Sequence, residues 1–343
     1  MQRITIDHIY YYNIDITSKC NAGCPDCART DLKTGKKIKE LPLQDWSVEN
    51  FKNIFNNKTL NKKCMVFNGV YGDALAHYDF LEIAEHCSRS TLENWKVHTN
   101  GALRSPDFFK DLADIQKTNK NTYTVFSIDG LEDTNHIYRR FCIWGKLMEN
   151  VEAFIKAGGK AQWDFLVFDH NAHQIEDVKK LSKKLGFADI RIKHTNRNVF
   201  QDKSNDVYPS ELNSAEQIRK KFSQKEDYNN WAKEQKITCF AHKHQQVDIG
   251  FDMKLWPCCW IYDKDYPRQK CNQELYDRYG ENFNSLYYHS IEDVLNHTWF
   301  KEHLPMTIDN PKSKLTHIQC PNMCQNVFKV NKPQEKWVSY EAI

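Results

Sequence analysis

The chain has 343 residues, of which 27% are charged and 40% hydrophobic, and its formal net charge at pH 7 is +3. That length allows one large domain and a smaller one, each burying its own core, and a charge so near balance gives no support to a nucleic-acid binder. No run approaches the ~20 apolar residues of a membrane span, and the opening MQRITIDHIYYY lacks the basic-then-apolar layout of a secretion signal, so a cytoplasmic location is expected.

Short strand-like runs alternate with helix-like runs through residue 200. Ile9–Ile16 is the first predicted strand, and Ser47 is a candidate N-cap for an amphipathic helix carrying Val48, Phe51, Ile54 and Phe55. Cys64–Phe67 is the second strand, followed by a helical face of Phe80, Ile83, Ala84 and Cys87. Trp95–Thr99 is the third, and Ser105-Pro106 caps a helix with Phe108, Phe109, Leu112 and Ile115 on one side. Tyr123–Ile128 is the fourth, with Leu147, Val151, Phe154 and Ile155 running to Gly158-Gly159. Gln162–Phe168 is the fifth, with Ile175, Val178, Leu181 and Leu185 running to Gly186, and Asp189–Lys193 is the sixth.

Six strand–helix alternations imply a parallel sheet with right-handed crossovers. A closed eightfold barrel takes ~250 residues, so the expected fold is α/β, a partial (β/α)6 TIM-like barrel over residues 1–200. A polar linker is expected over 201–236, a small Cys-rich domain over 237–329, and a featureless tail over 330–343. In such a barrel the ligand site lies at the C-terminal ends of the strands.

Twelve cysteines are many for a chain in a reducing compartment, where clustered thiols bind metal or do redox work more often than they form disulfides. Cys20, Cys24 and Cys27 follow the first strand, with Gly23 and Pro25 suited to the tight turns between them. Three thiolates at this spacing can wrap one face of a four-iron cluster and leave one iron open, the mark of a catalytic rather than structural site. The competing reading is zinc with a histidine as fourth ligand, but no second cysteine pair follows nearby.

CxxxCxxC at this position resembles the signature of the radical SAM superfamily. The resemblance implies that the open iron binds S-adenosylmethionine (SAM), which is reductively cleaved to a 5′-deoxyadenosyl radical that abstracts hydrogen from a substrate. Tyr71-Gly72-Asp73-Ala74 is similar to the family's Gly-Gly-Glu-Pro turn, implying that Gly72 and Asp73 help bind SAM. Ser127-Ile128-Asp129-Gly130, followed by His136 and Arg139, resembles a stretch of the SPASM/twitch branch, in which the serine contacts SAM and the arginine holds its carboxylate. Asp129 belongs to the same cofactor-binding set, Arg140 competes with Arg139 for its role, and Thr99-Asn100-Gly101 fits that branch too.

Cys239, Cys258-Cys259, Cys320 and Cys324 form a second constellation, similar to a twitch domain. The likeness implies a second [4Fe-4S] cluster held by Cys239, Cys258, Cys320 and Cys324, with Cys259 as the alternative to Cys258 and a structural zinc as the alternative to the cluster. A fully ligated cluster favours electron transfer over substrate binding. Cys64, Cys87, Cys142 and Cys271 read as ordinary residues.

Asp248, Asp252 and Trp256 are candidates to line a substrate pocket, and the lysine groups at 33–39, 179–184 and 219–225 read as solvated surface. The implied partners are SAM, an electron donor such as flavodoxin or ferredoxin, and a small-molecule, peptide or nucleotide substrate, with no membrane. A first strand so near residue 1 leaves no room for a peptide-leader domain, which disfavours the peptide class. No residue is assigned as a catalytic base. The alternative is a non-catalytic iron–sulfur or zinc scaffold that binds a partner.

Overall fold

All six predicted runs are strands in the computed structural model: β1 (Tyr11–Ile14), β2 (Cys64–Phe67), β3 (Asn94–Thr99), β4 (Tyr123–Ser127), β5 (Ala161–Val167) and β6 (Asp189–His194). The structure describes residues 1–31, 34–119, 121–195, 197, 221–262, 270–325 and 336–339. Much of the expected linker and the Cys271 side chain therefore lie outside the described residues.

Contacts divide the chain into two units, one made of Met1–Tyr12 with Tyr208–Gln334 and the other of Asn13–Val207 with Glu335–Ile343. In the second unit the strands lie in sequence order from β1 to β6, and β2 through β6 are parallel. Sequence order matters, because an order that never reverses keeps every crossover helix on one face and bends the sheet into an arc of barrel. The chain is thus a partial (β/α)6 barrel. One strand escaped the sequence reading: β7 (Lys336–Ser339), in the supposedly featureless tail, pairs antiparallel with β6.

The helix-bearing face is a continuous apolar layer. α1 (Val48–Ile54), α2 (Asn57–Leu60), α3 (Phe80–Arg89), α4 (Pro106–Gln116), α5 (Asn135–Tyr138), α6 (Trp144–Lys156) and α7 (Ile175–Leu185) belong to this unit. Trp95, Phe126 and Trp163 are fully buried on this face. Phe126 stands 5.7 Å from Phe109 of α4 and 5.6 Å from Phe154 of α6, edge or tilt on. The side chains of Ser47 and Ser105 accept hydrogen bonds from Asn50 N and Phe108 N as N-caps, and Gly186 ends α7 at φ +89°. The buried stripe of α4 is Phe109, Leu112, Ala113 and Gln116, one position round from the predicted face, and buried Thr124 of β4 donates a hydrogen bond to Gln116 at 3.1 Å.

In the other unit, a hairpin of β8 (Gln246–Ile249) and β9 (Leu255–Trp256) pairs Asp248 with Trp256 and Ile249 with Leu255. α8 (Lys225–Lys233), α9 (Phe240–Lys243), α10 (Cys259–Tyr262), α11 (Lys270–Tyr279), α12 (Ile291–Asn296), α13 (Leu304–Asp309) and α14 (Gln319–Met323) complete it. Its core is aromatic: Trp256 packs edge-on against Phe283 and Trp299, both about 6 Å away. Trp256 is therefore a core residue and not a wall of a substrate pocket, which corrects the expectation. Among the described residues no helix is long and apolar enough to cross a membrane.

Two glycines test the packing. A Cβ on Gly72 would lie 2.0 Å from the carbonyl oxygen of Thr17, whereas one on Gly145 in the first turn of α6 would meet nothing within 4 Å. Gly72→Ala should lower the melting temperature markedly, and Gly145→Ala should be neutral or stabilise by up to about 1 kcal/mol. Equal melting temperatures for the two variants, measured by circular dichroism, would show that the Gly72 contact is absent.

Candidate metal centre and active site

The loop that leaves β1 is fixed from three directions. Thr17 donates a hydrogen bond to Asp45 at 2.6 Å, and Lys19 pairs with the same carboxylate at 2.7 Å. From β2, the Asp73 amide donates to Lys19 O at 2.8 Å while Gly72 lies against Thr17 and Lys19 with no room for a side chain. From α5, the Gly23 amide donates to Arg140 O at 3.1 Å, and Tyr138 packs with Cys24 and Phe168 in a small buried cluster to which Cys27 is adjacent.

Within the loop, backbone conformation and space are answered by different residues. Asp26 takes the left-handed conformation, φ +57°, and Gly23 does not. Gly23 is needed for space, since a Cβ there would lie 2.7 Å from the Phe141 ring. Asparagine and aspartate tolerate the left-handed region better than most residues, so Asp26 suits its place.

Cys20, Cys24 and Cys27 are brought together on this loop, close enough for charge on one to affect the next. Burial pushes the Cys20 thiol up to about 12 and raises that of Cys24 as well. Donors converge on the sulfurs in turn. Ala22 N lies 3.3 Å and Asn100 Nδ2 3.7 Å from Cys20 Sγ, and Arg139 Nη1 lies 3.8 Å from Cys24 Sγ. N–H groups directed at sulfur stabilise thiolate over thiol, which is what an iron ligand requires, so the donor set fits an iron–sulfur cluster.

Asp73, a predicted SAM ligand, is occupied. Its carboxylate caps Leu75 N at 3.1 Å and accepts from Thr99 Oγ1, Asn100 N and Asn100 Nδ2 at 2.8–3.0 Å. It thereby ties the end of β2 to the end of β3 and aims Asn100 at the cysteine loop. Asn100 also reaches Asn21 Oδ1 at 2.8 Å. The sequence reading placed Asn100 in a family-like turn but gave it no role.

Ser127 ends β4 beside Asp164 of β5. Asp129, just beyond, is fully buried: Oδ1 accepts from Leu166 N at 2.7 Å, and Oδ2 holds Arg139 Nε at 2.6 Å. Burial alone would lower the Arg139 pKa, but the Asp129 carboxylate and the Cys24 sulfur keep it well above its ordinary value. Arg139 is thus a fixed cation beside Cys24. Its competitor Arg140 is placed differently, with its guanidinium beside Gly35 and its backbone carbonyl on Gly23.

Cys142 was read as ordinary, yet the charges of Cys24 and Cys20 both bear on it, and burial raises its pKa. Spacing alone gave no sign of this, because the turn after α5 is what returns the chain to the loop. Cys64 and Cys87 behave as expected of buried thiols, with Asn94 donating to Cys64 Sγ at 3.0 Å and Cys87 Sγ 3.7 Å from Met65 Sδ.

In the other unit, Cys239, Cys258, Cys320 and Cys324 all line one pocket, walled chiefly by apolar groups such as Ala241, Ile261, Leu304 and Ile308. Cys259 does not line it, since it begins α10 and its neighbour takes the inward place. The amide of Thr238 donates to Cys324 O at 3.0 Å, which closes the set by joining its first and last members. Burial pushes Cys239 up to about 11 and raises Cys258 and Cys320 as well. Four sulfurs with no carboxylate or imidazole among the pocket's walls suit a thiophilic metal or cluster. Among the described residues no three His, Cys, Asp or Glu side chains converge as the ligands of a single ion would.

No protein-family model matches the sequence, and no curated protein matches it. Solved structures do. SuiB of Streptococcus suis bound to its precursor peptide SuiA superimposes with a TM-score of 0.56 at 12% identity, covering 89% of this chain and 67% of that one. SuiB in another crystal structure gives 0.50 at 12% identity, and there the chain spans only 61% of SuiB's length. The enzyme anSMEcpe with bound AdoMet (SAM) gives 0.55 at 15% identity, covering 92% of this chain and 89% of that one. At such identities the likeness concerns fold alone: this chain is built on the same partial barrel as SuiB and anSMEcpe.

Proposed function

We propose that this chain is a radical SAM enzyme in which a cluster on Cys20, Cys24 and Cys27 supplies the electron that cleaves SAM to a hydrogen-abstracting 5′-deoxyadenosyl radical. The observation that carries the reading is the placement of these three thiols on one loop beyond β1, with N–H donors from Ala22, Asn100 and Arg139 aimed at the sulfurs of Cys20 and Cys24. Solved structures of the same fold hold AdoMet, which supports SAM as the ligand here.

Within that reading Arg139 would hold the SAM carboxylate, the backbone at Gly72 would receive its amino group, and Ser127 would contact it at the end of β4. Asp129 and Asp73 act at one remove. Asp129 fixes Arg139, and Asp73 fixes Asn100. Cys239, Cys258, Cys320 and Cys324 would hold a second [4Fe-4S] cluster, which supplies an acceptor for one electron from the substrate radical and so makes the net reaction an oxidation. A low-potential donor such as flavodoxin or ferredoxin would deliver the initiating electron. A related fold has been solved with a precursor peptide, so the peptide class stays beside small molecules and nucleotides.

Anaerobic reconstitution, reduction with dithionite and addition of SAM should yield 5′-deoxyadenosine, and Cys24→Ala should abolish it. The unsubstituted chain should carry about eight irons, falling to about four in Cys258→Ala, as two four-iron clusters require. Zinc in place of iron at the Cys20 loop, or undiminished 5′-deoxyadenosine from Cys24→Ala, would leave only a metal-bearing scaffold.

Asp129→Asn keeps the shape and removes the charge that orients Arg139. It should weaken SAM binding about tenfold, by a loss on the scale of one charge-assisted hydrogen bond, while leaving the iron content unchanged. Unaltered SAM affinity by equilibrium dialysis would exclude Arg139 as the carboxylate ligand.

A further inference from the structure

The face of the sheet opposite the helices has a different character. On strands whose alternate residues are Trp95, Val97, Phe126, Trp163 and Ile190, the intervening positions carry Lys96, His98, Tyr123, Asp164, Arg191 and Lys193. In a partial barrel this second face is the inside, where charged groups are costly unless they are paired or serve a ligand.

Asp164 is fully engaged. Its Oδ1 accepts from Arg191 Nε at 2.7 Å, and its Oδ2 accepts from Arg191 Nη2 at 2.5 Å and from Lys193 Nζ at 2.9 Å. Burial would raise its pKa, but these cations draw it down to about 2, so it is a carboxylate at any ordinary pH. His98 is pushed the other way, to about 3, chiefly by burial, and is neutral.

Lys96 is left over. Among the described residues its ammonium lies within ion-pair distance of no carboxylate. Its polar contact is the Tyr123 hydroxyl, at 3.3 Å, with the same ring 5.5 Å from the ammonium. Burial and the neighbouring Arg191 lower its pKa, and Asp164, which is already bonded to Arg191 and Lys193, only partly offsets them. A hydroxyl satisfies one N–H and neutralises nothing.

The geometry points to an anion-binding subsite on the inner face of the barrel, in which Lys96, flanked by Tyr123 and by the Asp164-anchored Arg191, receives a carboxylate or phosphate group of the substrate. This deepens the radical SAM reading and rests on it for the word substrate. It narrows the class from any small molecule, peptide or nucleotide to one that presents an anionic group to the middle strands. Asp164 positions Arg191 and Lys193, and Lys96 is the specificity-determining residue.

Two probes separate the phosphate and carboxylate sources: pyrophosphate and tricarballylate, each titrated calorimetrically into the full, iron-reconstituted chain with SAM present. At least one should bind saturably. Lys96→Met should weaken that binding about tenfold or more, while Lys96→Arg should hold it within about threefold, as loss and retention of one charge-assisted contact predict. The tighter probe identifies the group. In wild-type protein the same probe should protect Lys96 from acetylation by acetic anhydride, read by mass spectrometry, so the test does not depend on a variant's folding. Binding that Lys96→Met leaves unchanged, or acetylation of Lys96 that neither probe slows, overturns the subsite and marks Lys96 as a lysine merely extended along the barrel wall. Formation of 5′-deoxyadenosine by the same preparation reports separately on the SAM chemistry, so failure of one reading is not mistaken for failure of the other.

Discussion

The ion pair of Arg139 with Asp129 sets the geometry on which the site depends. Asp129 is wholly buried, so its charge is tolerable only because Arg139 and the Leu166 amide answer it. The pair runs from the end of β4 to the turn after α5, and its other nitrogen faces Cys24 Sγ. One guanidinium thus relates two strand ends and the cysteine loop. Breaking a buried pair of this kind by deleting one partner costs about 3–5 kcal/mol in other proteins, a large fraction of a domain's stability. The arrangement is therefore as much structural as chemical.

A second constraint is steric. Gly72 brings the end of β2 within backbone contact of Thr17, and the Asp73 amide then bonds to Lys19 O. The side chain of Asp73 extends the chain of contacts to Asn100 and so back to Cys20. Sulfurs, amide donors and guanidinium are held by strand ends rather than by a free loop. The radical chemistry proposed for the site would benefit from such rigidity, since misplacement of reacting atoms by about 1 Å can cost about a hundredfold in rate.

The six strands were legible because each is a short apolar or alternating run bounded by turn residues, and the helices because Ser47, Ser105 and Gly186 punctuate them. That Cys20, Cys24 and Cys27 lie on one loop after β1 was legible from spacing alone. What sequence could not give was direction. The alternation Asn94-Trp95-Lys96-Val97-His98-Thr99 is that of a half-buried strand with one polar face to solvent, and only closure of the arc turns that face inward. That Cys258 lines the pocket and its neighbour Cys259 does not depends on where α10 begins, which spacing does not reveal. Trp256 was misread because proximity in sequence to cysteines says nothing about burial, and Lys336–Ser339 because an edge strand can be formed by residues with no strong pattern of their own. Asp26 supplies a left-handed turn in the cysteine loop that spacing did not reveal, since aspartate carries that conformation at low cost.

The reading of the N-terminal loop comes down to one iron among four that differs from its neighbours. Mössbauer spectroscopy of protein enriched in iron-57, recorded with and without SAM, observes that difference directly. The account predicts that SAM shifts one iron of a single cluster and leaves the irons of the second cluster unchanged. Spectra indifferent to SAM, or a Cys20 loop that takes up no iron, would contradict it.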